Sequence, residues 1–324
     1  MTPEALRKLA AAAMAAPSVH NVQPARWLIE GDTVTLLEDP ERRLAVGDPS
    51  GNDAAISLGA AAEGLRLAAS REGLGIEEER LGGTHGSYRR VARYGFSEGI
   101  EPDPLAAWLE QRASWRGPLL APGDKDRRLA AGLAWEDVSV ATEPELIERI
   151  ARRYDRASFG FIRKPDFRRE LLGWMRLSQI HKRWSYDGLN ASALKLSRFE
   201  ALAAGAVLGW LFRPLTSLGL APLLLAEQAS FRNAAGIAVF HRPQGEDPFE
   251  SGKRFHRLWL AIEATGMGAN VLAALADDPE AAAMLKCELG IPHDRRIVSA
   301  FRIGRRAGEG FARARLPLDE VLVG

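Results

Sequence analysis

The chain has almost no cysteine, no long hydrophobic run and almost no net charge, and each absence excludes some classes of protein. Cys287 is the only cysteine, so an intrachain disulfide and a thiolate-rich metal site are excluded. The six histidines lack a metal-ligand spacing such as H-x-x-x-H, so no metal is expected. With 43 basic and 42 acidic side chains, the net charge of +1 favours neither a nucleic-acid nor a membrane partner.

The longest apolar run, residues 201–212, has 12 residues, whereas a membrane-spanning helix needs about 20. This run predicts either a buried helix or an amphipathic flap over a pocket. The apolar residues 9–16 are a poor signal peptide, because Thr2, Pro3 and Glu4 favour the start of an ordinary helix. The expected location is therefore the cytoplasm.

The chain contains a weak internal repeat. Residues 65–75 align with residues 258–268, with five of eleven positions identical. Both copies end in Gly-apolar-Gly, typical of a helix stopped by glycine, and both precede a strand-like segment. We interpret the chain as α+β, with two divergent fused halves that each have a mixed sheet flanked by helices. The expected halves are residues 1–104 and 105–324, the second with an insert at about 181–232.

Local patterns predict several elements of these halves. Residues 26–30 and 33–37 predict a hairpin with a turn at Gly31-Asp32. Asp53 is expected to cap a helix that runs to residue 69 and is rich in small residues, which allow another backbone to approach. Residues 105–113 predict a helix at the joint between the halves.

Two segments alternate basic residues with other types. Arg112, Ser114 and Arg116 point to one side if the segment is extended, and the same holds for Arg313 and Arg315. Guanidinium groups and a hydroxyl on one face suit the oxygens of a phosphate. Either segment could instead be a solvated strand or turn.

A third motif, P-S-V-H-N-V-Q-P, occupies residues 17–24. Together, the three motifs resemble those of the nitroreductase family, in which R-x-S-x-R/K and K/R-x-R-L-P bind the phosphate of flavin mononucleotide (FMN). In that family a P-S-x-x-N-x-Q-P-W loop lies beside the flavin ring. The resemblance implies that this chain binds FMN through Ser18, His20, Asn21, Gln23, Arg112, Ser114, Arg116, Arg313, Arg315 and the backbone of Ala273 and Ala274.

The motifs are unevenly divided between the halves. The first half has the Asn-Gln-Pro loop alone, and the second has both arginine motifs but no such loop. This division resembles the double-length, Acg-like branch of the family, in which one chain imitates a dimer. It implies one complete site per chain, and a monomer acting as a pseudo-dimer or a weak homodimer.

The resemblance implies an oxidoreductase that passes hydride from NADH or NADPH through FMN to a nitroaromatic, a quinone or a similar small electron-poor acceptor. A second reading is an FMN-sequestering protein, in which a lid with Trp184, Tyr186, Asp187 and Trp210 seals the ring. No side chain is predicted as a catalytic acid or base, since flavin chemistry resides in the cofactor. His20 is expected to be a loop histidine near the cofactor.

Overall fold

The structure is a computed structural model that describes residues 1–323. Its strands are, in chain order, β1 (Ala25–Glu30), β2 (Thr33–Glu38), β3 (Leu74–Arg80), β4 (Thr84–His85), β5 (Tyr88–Glu98), β6 (Val138–Ala141), β7 (Met175–Arg176), β8 (Leu189–Asn190), β9 (Gly236–Pro243), β10 (Gly268–Val271), β11 (Arg295–Gly304) and β12 (Leu322–Val323). The hairpin of β1 and β2 is confirmed, and its turn contains Gly31 at a φ of +62°.

The helices are α1 (Pro3–Ala13), α2 (Asn52–Arg71), α3 (Asp124–Ala131), α4 (Pro144–Ile162), α5 (Pro165–Trp174), α6 (Arg198–Leu208), α7 (Phe212–Ser217), α8 (Ala221–Leu224), α9 (Pro248–Ala264), α10 (Ala274–Asp277), α11 (Pro279–Leu289) and α12 (Leu318–Val321). Short 3₁₀ turns cover Val19–Asn21, Pro40–Arg42, Pro104–Trp108 and Gln228–Phe231. The predicted α+β class is confirmed.

The two main sheets have the same strand order. The first runs β3-β5-β2-β1 and the second β10-β11-β9-β6, and every one of these pairs is antiparallel. Each half also has one long helix at the same point of the chain. Helix α2 lies between β2 and β3, and helix α9 lies between β9 and β10. The repeated segments therefore occupy equivalent places, and the prediction of two fused copies is confirmed.

Helices α2 and α9 pack through a reciprocal glycine contact. A Cβ atom on Gly59 would collide with the carbonyl oxygen of Phe249, and one on Gly252 would collide with that of Ile56. In this contact each α2 residue lies 193 positions before its equivalent in α9. The same offset aligns residues 65–75 with residues 258–268. The contact is thus an approximate two-fold arrangement, and only glycine lets the two backbones approach so closely.

The sheets also receive parallel pairings from outside the repeated core. Strand β12 pairs parallel with β1, so the last part of the chain completes the sheet of the first half. In the second half, Ser114 forms an isolated parallel bridge with Ala269 of β10. Both pairings join segments that are far apart in sequence.

Two local predictions were wrong, and one of two alternatives for a third segment is excluded. Asp53 lies inside α2, whose N-cap is Gly51, and Asp48 instead accepts a hydrogen bond from the Ala54 N–H. The helix expected at residues 105–113 is the short turn Pro104–Trp108, because the chain then extends to meet β10. Of the two alternatives for the apolar run 201–212, the buried helix is excluded, since α6 buries only Ala201 and Leu208, and the amphipathic flap stays a prediction.

Candidate functional site

The loop between α1 and β1 has an unusual backbone. His20, Asn21 and Gln23 have φ values of +44°, +56° and +55°, in a backbone region that residues other than glycine rarely adopt. Ser18 supports this shape, because its hydroxyl oxygen accepts a hydrogen bond from the Gln23 N–H at 3.0 Å. Its carbonyl accepts another from the Asn21 N–H at 3.0 Å. Such strain is characteristic of binding loops.

Asn21 ties this loop to two distant segments. Its side-chain N–H₂ donates to the carbonyl oxygens of Gly188 (3.2 Å) and Ala314 (3.1 Å). Its Oδ1 accepts from Nη1 of Arg315 at 2.7 Å. Asn21 therefore positions one of the predicted phosphate ligands directly.

Gln23 makes a similar pair of hydrogen bonds to the same two distant segments. Its Nε2 donates to the carbonyl oxygen of Tyr186 at 2.8 Å, and its Oε1 accepts from the Leu316 N–H at 3.0 Å. The two amide side chains thus hold the loop, residues 186–188 and residues 314–316 together. Their polar atoms are engaged with protein partners.

Arg112 and Arg315 converge on one carbonyl oxygen. Nη2 of Arg112 lies 2.8 Å and Nη2 of Arg315 lies 3.3 Å from the oxygen of Ala15. The Arg112 guanidinium also lies over the ring of Trp259, 4.5 Å from its centre. The structure thus brings together arginines from the two predicted phosphate motifs.

No carboxylate within 4 Å neutralises Arg112, Arg313 or Arg315 in the described part of the chain. Burial, followed by the charges of Arg315 and Arg313, lowers the pKa of Arg112 well below its ordinary value. Burial and then Arg313 lower the pKa of Arg315 to about 10. Glu263 acts on Arg112 but is itself paired with Arg306. These shifts reflect burial first and the neighbouring positive charges second, and a bound anion would oppose both effects.

Two buried nitrogens strengthen this interpretation. The Nε atoms of Arg112 and Arg315 have no hydrogen-bond partner. Leaving a buried donor of a charged group unpaired is costly, so these two atoms are available to an acceptor that binds beside them, although the Nε atoms of Arg153, Arg302 and Arg306 are unpaired as well. We name Arg112, Arg313 and Arg315 the arginine cluster.

Ser114 and Arg116 form no hydrogen bond or ion pair with the arginine cluster among residues 1–323. The Ser114 hydroxyl donates to Oδ1 of the buried Asn270 at 3.3 Å. Arg116 is influenced by Glu227 and Tyr154, and none of the cluster arginines acts on it. That the five residues share one phosphate stays a prediction.

The neighbourhood of Arg116 includes His20. Burial, then the charge of Arg116, lowers the pKa of His20 to about 4, opposed by Glu170. Burial raises the pKa of Glu227 although Arg116 and Arg302 oppose the rise. His20 is consequently neutral at pH 7. Sequence reasoning missed Glu227 and also Tyr154, because nothing local marks either one.

A group of aspartates lies around the start of α2. Burial, then Asp277 and Asp48, raises the pKa of Asp53 to about 7. Asp277 ends α10, the short helix that Ala273 and Ala274 open, so these alanines lie in the part of the chain packed near Asp53. The N–H groups of Ala273 and Ala274 donate to no backbone carbonyl among the described residues.

Asp187 joins the insert to the first half. Its carboxylate accepts hydrogen bonds from Arg176 (2.8 and 3.1 Å), Arg183 (2.9 and 3.1 Å) and Arg42 (3.1 Å). Arg42 in turn donates to the carbonyl of Val22 in the strained loop. Asp187 is almost fully buried. It is the centre of an ion network that fixes residues 183–188 beside the loop.

Among residues 1–323 no cluster of metal-ligating side chains is present. No helix in the same range has the length and apolar character that crossing a bilayer requires.

No protein-family model matches the chain. A curated relative, the putative NAD(P)H nitroreductase Acg of Mycobacterium tuberculosis, is 36% identical over 81 residues. The match spans 25% of this chain and 24% of the relative's length. The resemblance predicted from the motifs, to the Acg-like branch of the nitroreductases, is confirmed by this match.

Solved structures of similar proteins include a putative nitroreductase from Anabaena variabilis, 11% identical with a TM-score of 0.42, covering 90% of this chain and 82% of that one. A nitroreductase with bound FMN from Bacteroides fragilis is 12% identical with a TM-score of 0.38 and covers 66% of this chain and 95% of its own.

Proposed function

We propose that this chain binds FMN and is an NAD(P)H-dependent oxidoreductase of nitroreductase type. The observation that carries the proposal is the arginine cluster, in which buried guanidinium groups lack carboxylate partners beside a strained loop. A second support is the named relative, a putative NAD(P)H nitroreductase.

The donor set fits the phosphate of FMN. Arg112 and Arg315 each offer Nε and Nη atoms, and the unpartnered Nε atoms are buried beside the Ala15 carbonyl. A phosphate dianion accepts several charge-assisted hydrogen bonds at once and suits forked donors. Arg313 would add charge, and Ser114 and Arg116 would contact the remainder of the cofactor from their own neighbourhoods.

The loop residues would position the cofactor rather than react. Asn21 and Gln23 hold Arg315 and Leu316 in place, and neutral His20 would present an uncharged ring to the flavin side of the site. FMN, when bound, supplies the hydride-transfer chemistry. The small acceptor is proposed to be a nitroaromatic, a quinone or a similar compound.

We also propose that residues 1–104 and 105–324 act as the two halves of an internal pseudo-dimer. The loop belongs to the first half and the arginine cluster to the second. One chain then forms one site, with the insert at about 181–232 closing beside it.

A second function is favoured by the bonds of the insert. The carbonyls of Tyr186 and Gly188 engage the amides of Gln23 and Asn21, and Asp187 fixes that segment. A segment held this firmly could exclude the nicotinamide and the acceptor. The protein would then sequester FMN without turnover.

The test compares FMN with riboflavin and then adds reductant. Equilibrium dialysis of the purified chain should show one FMN per chain, and riboflavin, which lacks the phosphate, should bind at least about 100-fold more weakly. Equal affinity for the two would disprove the role of the arginine cluster. Under anaerobic stopped flow, NADH or NADPH should bleach the flavin absorbance. Binding without bleaching by either donor would establish sequestration instead.

A further inference from the structure

Half of the large apolar side chains that the structure leaves exposed lie in one short part of the insert. Fourteen such side chains are exposed among the described residues, and seven fall within residues 199–224. Phe199, Leu202 and Trp210 are 79%, 74% and 78% exposed. Leu218 and Leu223 are 71% and 74% exposed. Folded proteins rarely expose so many neighbouring apolar side chains unless a partner covers them.

These residues belong to a thin helical layer, formed by α6, α7 and α8 in succession. The helices are joined by backbone hydrogen bonds, such as that from the Leu220 N–H to the Leu215 carbonyl. Phe212 anchors the layer, because its ring stacks on Phe159 at 6.2 Å and lies under the Arg168 guanidinium at 3.8 Å. The inner side of the layer is therefore held by the protein, and its outer side is apolar.

The charges beside this apolar face are mostly positive and unpaired. Residues 198–226 contain three charged side chains, Arg198, Glu200 and Arg213. Glu200 is engaged at the start of α6, where its carboxylate accepts from the Ser197 N–H at 2.8 Å. Neither Arg198 nor Arg213 has an ion-pair partner among the described residues. The face therefore offers an anionic partner two arginines that no carboxylate neutralises, of which Arg198 donates one hydrogen bond to Gln179 at 3.4 Å.

We propose that residues 199–224 bind the surface of an anionic lipid bilayer. Leu, Phe and Trp side chains would enter the interface, and Arg198 and Arg213 would meet lipid phosphates. Short apolar helices with flanking cations lie in the plane of the interface, and tryptophan favours that depth.

A second copy of the chain is a poorer occupant of the same face. Two copies related by a two-fold axis would bring four of these arginines to one interface, with only the engaged Glu200 of each copy to oppose them. A phosphate-rich surface complements the charges instead. The expectation of no membrane partner was based on net charge and on the length of the apolar run. Neither of these bears on a layer that lies flat on a bilayer.

Co-sedimentation with vesicles tests the proposal. The full-length protein should bind vesicles of phosphatidylcholine mixed with phosphatidylglycerol, and should bind vesicles of phosphatidylcholine alone at least about 10-fold less. The double variant Trp210→Glu/Leu223→Glu should lose at least about 10-fold in binding. Leu120→Glu is the matched control, since Leu120 is an exposed leucine (51%) outside the insert, and it should leave binding unchanged.

Two further measurements complete the test. Brominated lipid should quench the tryptophan fluorescence of the wild-type protein. Trp210→Phe should remove the part of the quenching that comes from Trp210. This result is independent of whether the double variant folds. Failure of the wild-type protein to bind anionic vesicles overturns the proposal. A dimer in sedimentation velocity that Leu223→Glu dissociates would also overturn it, because the face would then be a contact between two copies.

Discussion

At the scale of single residues, the arginine cluster differs from most other buried arginines of the chain. Arg26 and Arg176, for example, are also buried, but each forms an ion pair with an aspartate. Arg112 and Arg315 donate to carbonyl and amide oxygens, which carry no full negative charge. A bound anion, as proposed, would supply the stabilisation that a carboxylate gives Arg26 and Arg176.

Removing one cluster arginine should weaken the binding of FMN. For Arg315→Ala we expect the Kd to rise by about 10- to 150-fold, because a charge-assisted hydrogen bond contributes about 1.5–3 kcal/mol. Flavin fluorescence titration measures the change, and circular dichroism confirms that the variant is folded. Arg128→Ala, an exposed arginine on α3, is the control and should bind as the wild type does. An unchanged Kd for Arg315→Ala would place the phosphate elsewhere.

At the scale of elements, the glycine contact between α2 and α9 is the most specific feature of the fold. Each glycine meets a backbone carbonyl, and backbone cannot move aside as a flexible side chain can. The helices must separate if a methyl group is added at either position. The contact thus fixes how the two halves sit against each other.

Gly59→Ala should therefore lower the free energy of unfolding by about 1–3 kcal/mol through overpacking, and Gly252→Ala should do the same. Gly160→Ala is the matched control, because Gly160 lies in α4 with no atom near its missing Cβ. That variant should be unchanged or up to about 1 kcal/mol more stable, since alanine favours helix. Urea unfolding measures all three. A neutral Gly59→Ala would show that the helices are less closely packed.

Sequence patterns predicted the repeat and its elements because strand alternation and glycine stops are local properties. Long-range partners left no such signal, so the bonds from Asn21 to Gly188 and Ala314 were not foreseen. The grouping of Arg112 with Arg116 on one phosphate stays a prediction, because alternation alone does not fix what each side chain reaches. Residues four apart in an extended segment are about 13 Å apart, so side chains on one face still reach different neighbours.

At the scale of the whole molecule, Asp187 connects the insert, β7 and the first half. Three arginines surround its carboxylate and it is almost fully buried. Burial alone would raise the pKa of Asp187, but the hydrogen bonds from Arg176 and Arg183 hold it below the ordinary value. Asp187 therefore stabilises the fold above the ordinary aspartate pKa, and this contribution is lost as the pH falls through its lowered pKa.

Asp187→Asn should destabilise the protein by about 3–5 kcal/mol, because it leaves the buried Arg176 without a carboxylate, whereas Arg42 and Arg183 keep Asp39 and Glu320. Residues 183–188 should also become more sensitive to limited proteolysis. Asp166→Asn breaks the exposed pair with Arg169 and should change stability by less than about 0.5 kcal/mol. Urea unfolding at pH 7 checks both variants. Equal stability of the two would mean that the network is not a structural connection.

The pairing of β12 with β1 has a consequence for the order in which the protein is made. The first sheet lacks its edge strand, and the strained loop lacks the partners at Ala314 and Leu316, until the last part of the chain has been synthesised. Domains generally fold as they emerge, beginning at the N-terminus. Here the first half must wait on the ribosome until residues 314–323 have been made, so its sheet and its strained loop are completed only after the second half has been synthesised.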